Sequence, residues 1–377
     1  MTKEIKMVDL AGQYQKIKTE VDAGIAEVIN TTAFIKGPQV KKFEDNLAAY
    51  LNCKHVIGCA NGTDALQIAM MALKLQPGDE VITPVFTYAA TVEVIALLKL
   101  TPVFVEVNAN TFNIDEQLIE AAITPKTKAI VPVHLYGQCA NMEAIMKIAK
   151  KHNLYVIEDT AQAIGADFTF SNGETKKAGT IGTIGCTSFF PSKNLGCYGD
   201  GGAIFCNDDA LAERLRMVGN HGQRKQYEFE EVGINSRLDT LQAAVLDVKL
   251  QHLDEYAEAR RKVADYYDSA FKELNSITTP FRAKNSTHVF HQYTLKLSEN
   301  RETFREFLKN KGIPTMVYYP SPMHLQKAYN PDGLWQKGDF TLSESLSEQV
   351  VSLPIHTEFD ATSLQYIADS VKEFFNR

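Results

Sequence analysis

Lys193 follows an apolar run, Thr187-Ser188-Phe189-Phe190-Pro191-Ser192, and precedes the glycine-rich segment Tyr198-Gly-Asp-Gly-Gly202. An amine placed between Phe190-Pro191 and a flexible glycine segment is partly desolvated, which lowers its pKa and favours imine formation with a carbonyl. Two other segments carry complementary chemistry. In Asn61-Gly62-Thr63-Asp64-Ala65-Leu66 a strand ends, a glycine permits a tight turn and a helix begins, so that free N–H groups form an anion site. In Val156-Ile157-Glu158-Asp159-Thr160-Ala161-Gln162 an acidic pair stands at the carboxyl end of an apolar strand, the edge at which open α/β sheets bind ligands. Each segment also has an ordinary reading: a solvated surface lysine, a helix cap made by Thr63 or Asp64, and a carboxylate bonded to nearby backbone. Taken jointly they fit pyridoxal 5′-phosphate. A buried carboxylate is costly unless paired, and a protonated pyridine nitrogen is a partner that also withdraws electrons from a carbanion.

The elements that must position these residues are legible from about residue 55 to 206. Short β-branched runs alternate there with amphipathic helical stretches, the pattern of an α/β fold with a mostly parallel sheet and helices on both faces. The seven strand candidates are His55-Val-Ile-Gly, Glu80-Val-Ile-Thr, Pro102-Val-Phe-Val-Glu-Val, Ala129-Ile-Val-Pro-Val-His, Leu154-Tyr-Val-Ile-Glu-Asp, Cys186-Thr-Ser-Phe-Phe and Gly202-Ala-Ile-Phe-Cys. Residues 63–75 are rich in helix formers, and 141–152 follow a helical period through Ile145, Ile148 and Ala149. One long helical stretch is predicted from about Arg237 through Lys272, and a charged, mixed region from about 283 to 377 reads as a second, smaller α+β layer. The organisation expected is a large domain over 1–250, including an N-terminal arm, and a small C-terminal domain over 251–377.

Composition bounds the partners. The 377 residues are 45% hydrophobic and carry a formal net charge of -7 without a basic block, so nothing in the charge pattern favours nucleic acid or an anionic membrane. Met1-Thr-Lys-Glu-Ile-Lys-Met-Val lacks an apolar signal segment, and no apolar run is long enough to span a bilayer; a cytoplasmic enzyme of small molecules is expected. Cys53, Cys59, Cys139, Cys186, Cys197 and Cys206 show no metal-type spacing and read as reduced, mostly buried thiols, with no metal expected.

The joint pattern resembles the DegT/DnrJ family of pyridoxal-phosphate-dependent nucleotide-sugar aminotransferases, which have the fold of aspartate aminotransferase (fold type I). The resemblance runs nearly end to end. It covers Phe34-Ile-Lys-Gly-Pro, Asn61-Gly-Thr-Asp-Ala-Leu, Pro77-Gly-Asp-Glu-Val-Ile-Thr-Pro, Thr87-Tyr-Ala-Ala-Thr91, Glu158-Asp-Thr-Ala-Gln162, Ser188-Phe-Phe-Pro-Ser-Lys193, Gly199-Asp-Gly-Gly-Ala and Gly233-Ile-Asn-Ser-Arg-Leu-Asp-Thr-Leu-Gln-Ala-Ala244. It implies that Lys193 joins the cofactor, that Gly62, Thr63 and Ser188 hold its phosphate, that Asp159 pairs the ring nitrogen and that Gln162 contacts the ring hydroxyl. Tyr88 is expected to stack on the ring. Asn235 is expected to reach the phosphate from a neighbouring subunit, and Arg237 to reach a substrate carboxylate across the same interface, giving a homodimer with two shared sites. L-glutamate as donor and pyridoxamine 5′-phosphate as the aminated form of the cofactor follow from the same resemblance.

Within the family, the runs around Cys59, Leu135, Cys186 and Leu195 look most like enzymes that aminate C3 of UDP-2-acetamido-2-deoxy-3-oxo-glucuronate for surface polysaccharide (O-antigen). Where such relatives often have His-Tyr-Pro, this chain has Tyr318-Tyr319-Pro320, which replaces an ionisable contact by a phenol. Tyr318, Tyr319 and His324 are the expected substrate contacts of the small domain, and Lys36 lies in a loop that approaches substrate in the family. The competing readings are a dTDP-3-oxo-6-deoxyhexose (or 4-keto) aminotransferase, a sugar dehydratase, in which histidine replaces the lysine, and a non-catalytic regulator on the same fold, which is expected to lose the lysine or the pyridinium partner.

Overall fold

The seven strand candidates form one seven-stranded sheet in the computed structural model, which describes residues 4–376. The first three residues of the N-terminal stretch lie outside the described residues. We label the strands β1 (His55–Cys59), β2 (Glu80–Pro84), β3 (Thr101–Val105), β4 (Thr127–Ile130), β5 (Tyr155–Asp159), β6 (Ile184–Ser188) and β7 (Gly202–Cys206). Their spatial order is β1-β7-β6-β5-β4-β2-β3. Only β7 runs against its neighbours, pairing Gly202 with Cys59 on one side and with Ser188 on the other; the remaining pairs are parallel. Parallel strands covered on both faces read as near-continuous apolar runs, which is why all seven were legible.

The two-residue strand period sends neighbouring side chains to opposite faces. Ile57, Ile157 and Ile204 meet Leu66, Ile68 and Met70 of helix Gly62–Ala72 on one face. Their neighbours go the other way: Val156 joins Ile145 and Ala149 of helix Met142–His152, while Val56 and Phe205 join Phe43, Leu47 and Leu246. A separate core is built from helix Leu253–Phe271, the antiparallel strands Ile277–Thr278, Tyr293–Leu297 and Val350–Leu353, and helices Arg301–Asn310 and Ala361–Phe375. Ile5, near the start of the chain, packs on this second core. Among the described residues no helix is long and apolar enough to cross a membrane. All six cysteines are free, five of them buried and Cys53 partly so.

The expected long helical stretch from Arg237 is a different object. Residues before Asp239 are extended, helix Thr240–Leu250 follows, and the chain turns at Gln251-His252 before helix Leu253–Phe271. The break has a packing cause: Leu246 and Leu250 bury against Phe43 and Leu47, whereas Val263, Tyr267 and Phe271 bury in the second core. Helix Gly62–Ala72 also stops short of Leu75, with Lys74 in the left-handed region at φ 59°.

At the end of β5 a fully buried carboxylate is held by four donors. Glu158 accepts from the N–H groups of Gly179 (2.9 Å), Ile181 (2.7 Å) and Gly182 (2.6 Å) and from His134 Nε2 (2.9 Å). His134 Nδ1 accepts the Ala140 N–H at 3.1 Å, which leaves the ring proton on Nε2. Removing one partner of such a set leaves buried donors unpaired. Glu158→Ala is therefore expected to lower the unfolding free energy by about 3–5 kcal/mol, read as a fall in urea midpoint and Tm. An unchanged midpoint would contradict this account of the β5 end.

Candidate active site

A cavity of about 780 Å³ opens at the carboxyl ends of the strands, and it gathers Gly62, Thr63, Tyr88, Asp159, Gln162, Ser188, Lys193, Tyr318 and Tyr319. A cleft of about 650 Å³ at the opposite edge, lined by Thr127, Lys128, His152 and Tyr155, holds none of the expected site residues.

Lys193 stands in the turn after β6, its N–H bonded to Phe190 O at 2.8 Å. Burial pulls its amine down to about 8, against a smaller opposite pull from Asp159. The turn is fixed from outside. Asn194 Nδ2 donates to Val289 O (2.9 Å), Lys249 Nζ to Gly196 O (2.7 Å) and the Tyr198 N–H to Gln242 Oε1 (2.8 Å).

Asp159, the last residue of β5, is 7% exposed. Its Oδ2 accepts from Thr91 Oγ1 at 2.8 Å and its Oδ1 from the Ala161 N–H at 3.1 Å. Two donors leave lone pairs free toward the cavity, the arrangement that a protonated ring nitrogen requires. Gln162 is oriented by the Tyr136 N–H on Oε1 (2.7 Å) and donates from Nε2 to Tyr319 Oη (2.9 Å), which leaves one amide hydrogen for a cofactor oxygen. Tyr136 Oη donates in turn to the carbonyl of Tyr318. The peptide between Tyr318 and Tyr319 is cis.

The anion cradle is as close as backbone permits. Asn61, rather than Thr63 or Asp64, caps the helix: its Oδ1 accepts the Asp64 N–H at 2.8 Å and its carbonyl accepts the Ala65 N–H at 3.1 Å. The first-turn N–H groups of Gly62 and Thr63 are left at the cavity wall. A Cβ on Gly62 would lie 2.7 Å from Ser188 Cβ, so only glycine lets the β1 and β6 ends meet there. A phosphate fits this cradle, and a ring between it, Asp159 and Lys193 fits the donor set. Tyr88 is 60% exposed at the mouth, its ring centroid 6.0 Å from that of Tyr319.

Four expected residues are not in the lining of this cavity in their own chain. Asn235 is exposed, and Arg237 lies with Lys36 and Asn220 in a separate cavity of about 280 Å³. There Lys36 Nζ donates to Asn220 Oδ1 (3.1 Å), its pKa lowered by burial and then by Arg237. Arg237 Nη2 sits 3.4 Å from His221 Nε2, and its buried Nε has no partner among the described residues. His324 is the last of these expected residues. Its ring is fully buried, outside the cavity lining, with Nε2 on Glu344 Oε1 at 3.0 Å and Phe340 against it; it fastens its own loop.

The structure adds polar lining that sequence reasoning missed, above all His291 and Gln292. His291 is buried, its pKa pushed well below the ordinary value by burial and then by the Lys193 and Arg260 charges. Nothing local marks it in Thr287-His-Val-Phe-His-Gln. Thr91, which holds Asp159, lies in a motif already singled out, within helix Ala89–Leu97 and 3.5 Å from the hydroxyl of Thr87 in the bend before it.

The chemistry that fits this cavity is that of a pyridoxal-phosphate enzyme, and the sheet beneath it is that of the aspartate-aminotransferase fold. The chain belongs to the DegT/DnrJ/EryC1/StrS aminotransferase family, whose model matches residues 15–372. It is 49% identical over 363 residues to the UDP-2-acetamido-2-deoxy-3-oxo-D-glucuronate aminotransferase of Pseudomonas aeruginosa, covering 96% of this chain and 98% of that one. It is 48% identical to a pleiotropic regulatory protein of Geobacillus stearothermophilus, covering 98% of each. Among solved structures, DesV of S. venezuelae in complex with a ketimine intermediate matches with a TM-score of 0.95 at 40% identity over 100% of both chains.

The lowered pKa of Lys193 has a stability consequence in the cofactor-free chain. Between about 8 and the unfolded value of 10.5 the unfolded chain binds the extra proton, so stability rises with pH through that window and the penalty is fully present below it. Lys193→Met is expected to raise Tm of the cofactor-free protein at pH 7, with the advantage fading as pH climbs from 8 toward 10.5. A difference that stays flat across that range would contradict the burial of the amine.

Proposed function

We propose that this aminotransferase, with pyridoxal 5′-phosphate joined to Lys193, transfers an amino group from L-glutamate to the 3-keto carbon of UDP-2-acetamido-2-deoxy-3-oxo-D-glucuronate, in cytoplasmic supply of surface polysaccharide (O-antigen). The reaction reading rests on one observation: a desolvated Lys193 amine with a pKa of about 8 beside the buried Asp159. An amine so shifted offers an appreciable neutral fraction near pH 7. The bound cofactor supplies the electron sink that stabilises a carbanion. The chain does the rest. Asp159 holds positive charge at the ring nitrogen, Gly62, Thr63 and Ser188 take the phosphate, Gln162 orients the ring oxygen, and Tyr88 covers a ring face at the mouth. Lys193 Nζ, once freed, takes the proton from Cα of the donor and delivers it to the neighbouring centre as general base and acid. Glutamate leaves as 2-oxoglutarate, and the ketosugar runs the same proton moves in reverse.

The substrate reading draws on the 49% identical Pseudomonas aeruginosa relative, named for this sugar, and on Arg237, whose buried Nε is unpartnered among the described residues. A guanidinium fork matches a uronate carboxylate. Because Asn235 and Arg237 lie away from their own chain's cavity, we assign them to the site of a second copy, in a homodimer with two shared sites. Tyr318 and Tyr319 line the cavity from residues 251–377, which we assign as the small domain, with 1–250 as the large one. Tyr318 favours a second reading. A half-buried phenol, its pKa raised by that partial burial, is a neutral contact that suits a dTDP-3-oxo-6-deoxyhexose (or 4-keto) sugar without a carboxylate. Lys193, in place of a histidine, speaks against elimination, and Lys193 with Asp159 against a regulator without catalysis.

Assays with both ketosugars separate the two readings. Arg237→Ala is expected to lower kcat/KM for the 3-oxo-uronate by about 10- to 100-fold, the range for a lost hydrogen bond to a charged group, and to leave the carboxylate-free sugar nearly unchanged. Unaltered turnover of the uronate removes the carboxylate role of Arg237. Lys193→Ala is expected to abolish both the visible absorbance of the lysine-bound cofactor and transamination; a variant that kept the band would sink the assignment of Lys193.

A further inference from the structure

The segment before helix Thr240–Leu250 is extended and pinned on both sides. The Ile234 N–H bonds Val218 O (2.8 Å), the Ser236 N–H bonds Gly219 O (3.0 Å), and the Thr240 N–H bonds Phe34 O (3.0 Å). In such a segment side chains alternate. Asn235 is exposed, as is Asp239, whereas Ser236 (4% exposed) and Leu238 (2%) face inward. Leu238 presses on the end of β1, where a Cβ on Gly58 would come within 2.9 Å of its own Cβ. Ser236 Oγ accepts the Ala60 N–H at 3.0 Å. Ala60 lies just beyond the last ladder pair of β1, Cys59 with Gly202, and immediately before the Asn61 cap.

We infer that Ser236 is a positioning residue for the phosphate end of the cofactor site, its hydroxyl fixing the Ala60-Asn61 turn from which helix Gly62–Ala72 starts. The turn has little slack, because Gly62 already approaches Ser188 as closely as side-chain atoms allow. A shift of a few tenths of an ångström at Ala60 changes the gap between the two walls that grip the phosphate. One short segment thereby serves two purposes: Ser236 braces the cradle of its own chain, while Asn235 is exposed and Arg237 lies in the cavity of about 280 Å³. The inference rests on the reading of Gly62, Thr63 and Ser188 as the phosphate site.

The test is titration of the cofactor-free protein with pyridoxal 5′-phosphate and, separately, with pyridoxal, which lacks the phosphate. Ser236→Ala is expected to weaken pyridoxal 5′-phosphate by roughly ten-fold, the order expected for one lost buried hydrogen bond, and to leave pyridoxal within about two-fold. Ser236→Cys, which keeps the volume but accepts hydrogen bonds weakly, is expected to show a smaller loss in the same direction. Ser188→Ala serves as the reference for a direct phosphate contact. Equal weakening of both ligands, with a lower Tm, would mean that Ser236 is merely structural and would overturn the inference. So would unchanged pyridoxal 5′-phosphate affinity in the Ser236 variants alongside a loss in Ser188→Ala. If Ser188→Ala has no effect either, the phosphate reading itself fails and takes this inference with it.

Discussion

Two carboxylates end one strand, and the structure depends on both being satisfied on opposite faces. The strand period sends Glu158 away from the cavity, into three backbone N–H groups and His134, and sends Asp159 toward it, where Thr91 and the Ala161 N–H are its donors. A buried charge without partners is expensive, so the fold has to bring six donors to this one strand end. On one side the donors fix the 179–182 turn that leads into β6. On the other side they leave Asp159 with lone pairs toward the cavity. Structural and chemical demands are thus met by adjacent residues on opposite faces of the sheet.

Lys193 illustrates a complementary logic. Its amine is depressed by burial rather than by a neighbouring cation, and the turn that carries it is held by residues from elsewhere in the chain: Gln242 and Lys249 from one helix, and the Val289 carbonyl beside His291. Lys249 is itself a buried amine pulled down to about 8, with a carbonyl and the Tyr198 ring as its neighbours. Preorganisation of the reactive lysine is distributed over the packing around it.

How much of this was legible in the sequence depended on whether the signal was local. All seven strands were visible, because strands buried on both faces are written as apolar runs, and the Gly62, Asp159, Ser188 and Lys193 motifs fell at their carboxyl ends. The break at Gln251-His252 was not, since helical periodicity continues on both sides and only the choice of core differs. His324 carries the family motif, whereas its burial on Glu344 comes from a residue 20 positions away. His291 and Gln292 carried no local mark at all, and reach the cavity only because their segment runs beside the Lys193 turn. Ser236 and Arg237 are neighbours in sequence and line one cavity, and only their hydrogen-bond partners separate their roles.

The Gln162–Tyr319 hydrogen bond spans 157 residues, and this distance sets an order of events during synthesis. All seven strands, with Lys193 and the anion cradle, leave the ribosome well before the two tyrosines that close the cavity. The tyrosine wall is thus added to a sheet whose seven strands all lie earlier in the chain. Because one wall of the cavity comes from residues 318–319 and the others from around 162 and 193, closure of the cavity reports that segments far apart in the chain have docked.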